Sequence, residues 1–346
     1  MRIIGLGETV YDIIFRHDQP ERAVPGGSAF NAIISLGRVL KHQEAKDSSA
    51  DHAAVDATVT MITETGDDHI GHLTLDFMAQ NGVDTSFVTV NPGTKSHISL
   101  AFLDDDNNAQ YTFYKDHAHA KIDNSTLFAL SPHSNLSNPS NPSNFSAPFT
   151  PQDALLFGSF FAINPVIRDY TRQVITAAHD AGAVLYYDIN FRRSHIEDIP
   201  FVLDNLEENM RLSTIVRGSA EDFGYLYGTE NPLEVYEQHI RQHCPIFICT
   251  DGPRATWLFA PNAANPGTTL QMRIPTKALP NVISTIGAGD NFNAGFVYAL
   301  MRDGLHASDL DSLTAPLWMH LIESGQQFAA HVCQRIENYV DETFVP

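Results

Sequence analysis

The chain is short of positive charge. Its 346 residues carry 21 Lys and Arg against 41 Asp and Glu, a formal net charge of −20 at pH 7. That shortage argues against non-specific binding to nucleic acid or to an anionic membrane, whose phosphates select basic surfaces. It does not bar a phosphorylated ligand, because an anion site is local. Cysteine is scarce too: Cys244, Cys249 and Cys333 are the only three, odd in number and without a C-x-x-C. A reduced, cytoplasmic setting is therefore expected. No apolar run approaches the length of a membrane span. Glu8 and Asp12 interrupt the first apolar stretch, so it does not read as a signal peptide. Gly5-Leu6-Gly7 lacks the third glycine of a dinucleotide fingerprint, since Val10 stands there, which disfavours a nicotinamide site. His239 and His243 have metal-like spacing beside Cys244, but with no further ligand nearby they read as a polar helix face.

What is present centres on residues 281–301, NVISTIGAGDNFNAGFVYALM. Asn281 to Thr285 is rich in β-branched side chains and reads as a buried strand. Gly287-Ala288-Gly289 breaks it, and Phe292, Phe296, Ala299 and Leu300 then recur at helical spacing. A glycine turn at a helix start lets several backbone N–H groups converge where the helix dipole is positive, so an anion belongs there. Asp290 sits in that first turn. A carboxylate beside an anion hole suits proton removal from a hydroxyl together with stabilisation of a phosphoryl group in transit.

The rest of the chain alternates. Strands are expected at 1–7, 9–15, 57–62, 96–103, 110–114, 154–157, 183–187, 213–216, 246–249, 255–259 and 272–274. Helices are expected after Ser28, with Ala29, Ala32, Ile33, Leu36 and Leu40 on the apolar face, and at 68–80, 165–181, 201–211, 221–227, 232–242 and 315–335. Residues 41–56 read as a polar loop, and 131–151, rich in Ser, Asn and Pro, as a low-complexity insertion. Repeated strand–helix units argue for a doubly wound, mainly parallel α/β sheet in a single domain. Ligands of such sheets collect at the carboxyl ends of the strands. Asp188, Asn190 and Arg192, Ser219 to Asp222, Thr250 to Gly252, and Gly287 to Asp290 all fall at such ends.

Taken in order, these pieces resemble the ribokinase-like (pfkB) carbohydrate kinases over nearly the whole chain. The similar segments are Gly26-Gly27-Ser28-Ala29-Phe30-Asn31, Gly66-Asp67-Asp68 with Gly82-Val83-Asp84, Asp188-Ile189-Asn190-Phe191-Arg192, Thr250-Asp251-Gly252, and Thr285-Ile286-Gly287-Ala288-Gly289-Asp290. The resemblance implies a kinase that passes the γ-phosphoryl of ATP to a hydroxyl of a small sugar or sugar acid. D-x-N-x-R fits members that act on fructose or 2-keto-3-deoxygluconate better than nucleoside kinases. It implies Asp290 as the base, Gly287, Ala288 and Gly289 as the anion hole, and Arg192 on the transferring phosphate. Asp12, Gly27, Asn31, Asp188 and Asn190 would face the sugar. Ser219, Asp222, Thr250, Gly252 and Thr285 would serve the nucleotide, with Asp222 acting on Mg²⁺ through water. The strands at about 11–25 and 96–114 would form a small β lid and a homodimer contact. Ser284 replaces the carboxylate that K⁺-responsive members carry, so a weak response to K⁺ is expected, and Ala255 replaces a nucleotide-side glycine. The alternative is a non-catalytic sugar- or nucleotide-binding regulator on the same fold, against which the intact Asp290 and G-A-G turn speak.

Overall fold

The computed structural model describes residues 1–47, 57–104, 109–115 and 149–346. The segment 131–148, most of the expected insertion, lies outside them, as do 48–56 of the expected polar loop. In chain order the elements are β1 (Arg2–Leu6), β2 (Val10–Arg16), β3 (Gln19–Gly26), α1 (Ser28–Asp47), β4 (Thr58–Gly66) and α2 (His69–Gln80). Then follow β5 (Val83–Asp84), β6 (Val88–Asn91), β7 (Ile98–Leu103), β8 (Ala109–Tyr114), β9 (Ala154–Gly158), α3 (Ser159–Ile163) and α4 (Arg168–Asp180). The rest are β10 (Val184–Asp188), α5 (Ile199–Leu212), β11 (Ile215–Ser219), α6 (Ala220–Tyr227), α7 (Pro232–Val235), β12 (Phe247–Asp251), β13 (Ala255–Pro261), β14 (Thr269–Pro275), α8 (Ala288–Arg302) and α9 (Ala315–Cys333).

The main sheet runs in the order β14-β13-β12-β11-β10-β9-β1-β4-β5, with β6 also on β4. From β12 to β5 the pairs are parallel, and β13 and β14 add an antiparallel edge. The parallel strands are apolar on both faces, as a sheet covered by helices on both sides requires. Alternate residues point to opposite layers. Ile3, Tyr186, Ile215 and Ile248 pack with Phe30, Phe296, Trp318 and Phe328 of α1, α8 and α9. Ile4, Tyr187, Val216 and Phe247 pack with Phe161, Val174, Leu206 and Phe223 on the other side. After β1 the chain moves to β4 on one side and later to β9 on the other, so the order reverses beside β1. A crevice opens at such a switch point, outside the carboxyl ends of the strands. A second sheet of four strands, β3-β2-β7-β8, stands apart from the first.

Two expectations differ from the structure. Residues 281–285 form no strand: Asn281, Val282, Ile283 and Thr285 are exposed and only Ser284 is buried. β-Branched content favours a strand only where a neighbouring strand pairs with it, and here the sheet ends at β14. Instead the Ile283 and Ser284 N–H groups donate to the Cys333 carbonyl at the end of α9. Helix α1 also continues beyond Leu40 to Asp47, into the stretch read as loop, since Lys, Gln, Glu and Ala propagate a helix well even where no apolar face calls for it.

Candidate active site

Asp290 lies at the third position of α8, 6% exposed. Two groups at the start of α1 aim it. Ser28 Oγ donates to Oδ1 at 2.7 Å, and Asn31 Nδ2 donates to Oδ2 at 2.8 Å. Burial pushes the carboxyl up to about 6, helped by the charge of Asp188; the bonds from Asn31 and Ser28 and the Arg192 cation hold it from rising further. It is thus mostly ionised at neutral pH and near enough to 7 to exchange a proton. The turn before it demands glycine. Gly287 has φ +74°, and a Cβ there would lie 2.5 Å from the Asn338 carbonyl oxygen. The Gly287 carbonyl accepts the Asn291 N–H at 2.8 Å, which starts the helix, while the Ala288 N–H donates to the Thr285 carbonyl at 3.2 Å and closes the turn.

Asp12, on β2, is 3% exposed. Ser99 Oγ of β7 donates to its Oδ1, and Asn338 Nδ2 donates to its Oδ2 at 2.9 Å. Burial pushes this carboxyl up to about 7; Ser99 and Asn338 oppose the rise and the nearby Asp290 charge adds to it. Gly26 and Gly27 pass beside it. A Cβ on Gly26 would fall 2.0 Å from Asp12 Oδ2, and one on Gly27, at φ +126°, 2.2 Å from the Glu8 carbonyl. The Asn31 Oδ1 atom is buried and has no protein partner among the described residues. That leaves a buried acceptor beside the base, where a ligand hydroxyl would satisfy it.

The carboxyl ends of β10, β11 and β12 add a charged row. Arg217, 4% exposed, donates from Nη1 to Asp188 Oδ1 at 2.9 Å and from Nη2 to Thr250 Oγ1 at 2.7 Å. Asn293 Nδ2 donates to Asp188 Oδ2 at 2.6 Å. Both oxygens of Asp188 are therefore engaged within the protein. Asn190, at φ +39°, donates to Ser159 Oγ at 2.9 Å. Ser219 and Asp222 cap α6 reciprocally: Asp222 N–H donates to Ser219 Oγ at 3.1 Å, and Ser219 N–H to Asp222 Oδ2 at 2.7 Å. Burial lifts the Asp222 carboxyl to about 6 against the pull of the Arg192 cation. Arg192 itself is exposed, with its guanidinium carbon 5.9 Å from the Tyr111 ring of β8. The protein packed around its head group strips some of its hydration and works against its charge, but Tyr111 and the Asp222, Asp290 and Asp188 carboxylates keep it protonated.

So Asp12, Asn31, Asp188, Arg192, Asp222 and Asp290 converge on one crevice, with Gly27 and Gly287 to Gly289 as its backbone walls. Gly252, at φ +48°, and Thr285 are exposed. Ser284 is turned inward, 1% exposed, and its Oγ accepts the Ile286 N–H at 3.1 Å. Five polar residues of the site went unread in the sequence: Ser28, Ser99, Arg217, Asn293 and Asn338. Arg217 alone carried a local signal, an arginine within a strand otherwise small and apolar, where an unpaired charge is rarely buried. Asn338 carried none, because it follows α9 in an irregular segment.

A doubly wound sheet with a buried, oriented carboxylate at a glycine-rich helix start is the architecture of a small-molecule phosphotransferase. The chain matches the pfkB family carbohydrate kinases over residues 3–336. It is 24% identical over 310 residues to a fructokinase of Rhizobium leguminosarum bv. trifolii, covering 88% of this chain and 81% of that protein. Its fold is that of the fructokinase of Vibrio cholerae O395 solved with fructose, ADP and calcium ion, at TM-score 0.72 and 19% identity, covering 97% and 94% of the two chains. It also matches the aminoimidazole riboside kinase of Salmonella enterica solved with aminoimidazole riboside and an ATP analogue, at TM-score 0.71 and 17% identity, covering 99% and 97%. The chain belongs to the pfkB family of carbohydrate kinases.

Proposed function

We propose that this carbohydrate kinase transfers the γ-phosphoryl group of ATP to a hydroxyl of a small sugar, with Asp290 as the general base. One observation carries the reading: Asp290 is held by Ser28 and Asn31 at the start of α8, beside the glycine turn. Its carboxylate takes the hydroxyl proton, and the N–H groups of Gly287 and Gly289, joined by that of Ala288 when it exchanges the Thr285 carbonyl for the ligand, receive the charge of the phosphoryl group in transit. Asp12, Gly27 and Asn31 bind sugar hydroxyls, with Asp188 and Asn190 shaping that end of the crevice. Arg192 reaches the transferring phosphate, where a guanidinium fork suits phosphate oxygens. Ser219, Thr250, Gly252 and Thr285 line the nucleotide side.

Asp222 fits a magnesium ion held through water. One of its oxygens is taken by the Ser219 N–H and the other is left for a water, which suits a hard cation that keeps most of its hydration. When bound, such an ion neutralises charge on the phosphates. The four-stranded sheet serves as lid: Tyr111 of β8 reaches Arg192, and closure there excludes water from the transfer. The exposed Phe113 and Tyr114 on β8 suit a contact with a second copy of the chain. A cytoplasmic setting accords with three free cysteines and with the absence, among the described residues, of a helix long and apolar enough to cross a membrane.

The fructokinase relatives favour fructose as substrate. A coupled assay of ADP release across hexoses, pentoses, keto-sugar acids and nucleosides tests this. Fructose should give the highest kcat/KM. Turnover of no sugar would leave the regulator as the surviving reading.

A further inference from the structure

We propose that Arg217 is a positioning residue for phosphoryl transfer: its buried charge lies behind the anion hole and acts through Gly289 and Asp188. The proposal rests on the kinase reading above. Its basis is the placement of one guanidinium. Arg217 stands on β11, between Asp188 on β10 and Thr250 on β12, and holds both. Its third face meets the glycine turn. A Cβ on Gly289 would lie 2.9 Å from Arg217 Nη2 and 3.1 Å from Nη1, so only glycine lets the backbone come this close to the cation. The Phe292 ring lies 5.8 Å from the guanidinium carbon. Arg217 Nε is buried without a partner among the described residues.

A cation so placed has two effects. It adds positive potential beneath the N–H groups that receive the phosphoryl charge, in a site too buried for salt to screen it well. It also compensates Asp188. The crevice holds four carboxylates, Asp12, Asp188, Asp222 and Asp290, against two guanidiniums, Arg192 and Arg217. Removing one cation leaves a surface that repels a triphosphate. The groups facing Asp290 are Asp188 from β10, Asp12 from β2, Tyr111 from β8, Arg192, and Ser28 and Asn31 from α1. Those facing Arg217 are Asp188 and Tyr186 from β10, Asp222 from α6 and Cys249 from β12. Asp188 raises the Asp290 carboxyl, and without Arg217 its charge is left with less to compensate it. The acid limb of the pH–rate profile then moves to higher pH.

Two variants separate charge from hydrogen bonding. Arg217→Gln keeps a donor for Asp188 and loses the cation; Arg217→Lys keeps the cation and loses the fork. With wild type turning over sugar and ATP, Gln should lose about 10²-fold in kcat, the scale of one lost oxyanion-hole donor, with its acid limb shifted upward. Lys should stay within about fivefold of wild type with its limb in place. Calorimetry with MgADP reads the same charge without turnover: about tenfold weaker binding for Gln and under threefold for Lys. A folded Gln variant within threefold of wild-type kcat and affinity overturns the proposal. So does a Lys variant that falls as far as Gln. If Gln fails to fold, a Lys variant losing more than tenfold in kcat and in MgADP affinity decides against it. Wild type without sugar turnover counts against the kinase reading, while the MgADP arm still judges Arg217.

Discussion

At the scale of single residues, the site sets two carboxylates different tasks by giving them different partners. Asp290 is aimed by Ser28 and Asn31 and stays mostly ionised at neutral pH, with a carboxyl near 6. Asp290→Asn keeps the shape and removes the acceptor for a proton. We expect kcat to fall by about 10²–10⁴-fold, the usual worth of a general base, with ATP affinity nearly unchanged. A steady-state kcat within threefold of wild type would remove Asp290 from that role. Asp12 is costlier to keep. Burial holds its carboxyl near 7, so its protonation stabilises the folded chain. That contribution is complete below the ordinary carboxylate range and is lost as pH rises through about 7. Asp12→Asn should therefore raise the melting temperature of the ligand-free protein at pH 8 by about 1.5–3 °C, from about 1–2 kcal/mol of relieved charge burial. The gain should shrink at pH 5, where Asp12 is already protonated. Asn338 can turn its amide over and offer its unpaired Oδ1 to the new side chain. The same substitution should raise the sugar KM by one to two decades, since hydrogen bonds to a charged group are worth about 1.5–3 kcal/mol. A melting gain that is equal at pH 5 and pH 8 would show that the charge of Asp12 is not what destabilises the fold.

At the scale of elements, the turn into α8 was readable because its signals are local. Two glycines, an acid and a helical apolar period lie within a dozen residues. The preceding stretch was misread for the opposite reason. Its β-branched residues favour extended backbone, but whether extended backbone becomes a strand depends on a partner that lies outside the segment. Here Val282 and Ile283 stay exposed and the N–H of Ile283 finds the end of α9 instead. The same limit hid Asn338. It reaches Asp12 from 326 residues away, and its carbonyl takes the Asn291 Nδ2–H at 2.7 Å. No pattern along the chain announces a contact of that span. Gly287 tests how tightly this junction is built. Gly287→Ala places a methyl 2.5 Å from the Asn338 carbonyl and asks alanine to adopt φ +74°. Left-handed backbone costs a non-glycine residue about 1–2 kcal/mol, and the clash adds to it. We expect the melting temperature to drop by at least about 1.5 °C and kcat to fall more than the sugar KM rises, because the turn and not the sugar side is displaced. An unchanged melting temperature with normal kcat would mean that the segment after α9 yields freely.

At the scale of the whole molecule, fold class was the most legible feature, since strand and helix alternate from β9 to β12 and the parallel strands β1, β9 and β10 are almost wholly apolar. The second sheet was legible as strands, with β7 and β8 as an antiparallel hairpin, but the pairing that joins this hairpin to β2 was not. β2 pairs with β7 in parallel across intervening elements, and sequence distance does not reveal that. Net charge is the one global quantity open to direct test. At −20 the chain repels a nucleotide before it meets the crevice, while the two guanidiniums attract it only at short range. The Debye length shortens from about 30 Å at 10 mM salt to about 10 Å at 100 mM. The distant repulsion is screened over that interval, and the buried Arg217, 4% exposed, is screened far less. Raising tetramethylammonium chloride from 10 to 100 mM should therefore increase kcat/KM for MgATP, by about two- to fivefold. A neutral sugar feels no such field, so its KM should stay level in the same series, which separates steering from any general effect of salt on the enzyme. A kcat/KM for MgATP that falls with salt would show that local attraction at the crevice outweighs the charge of the molecule as a whole.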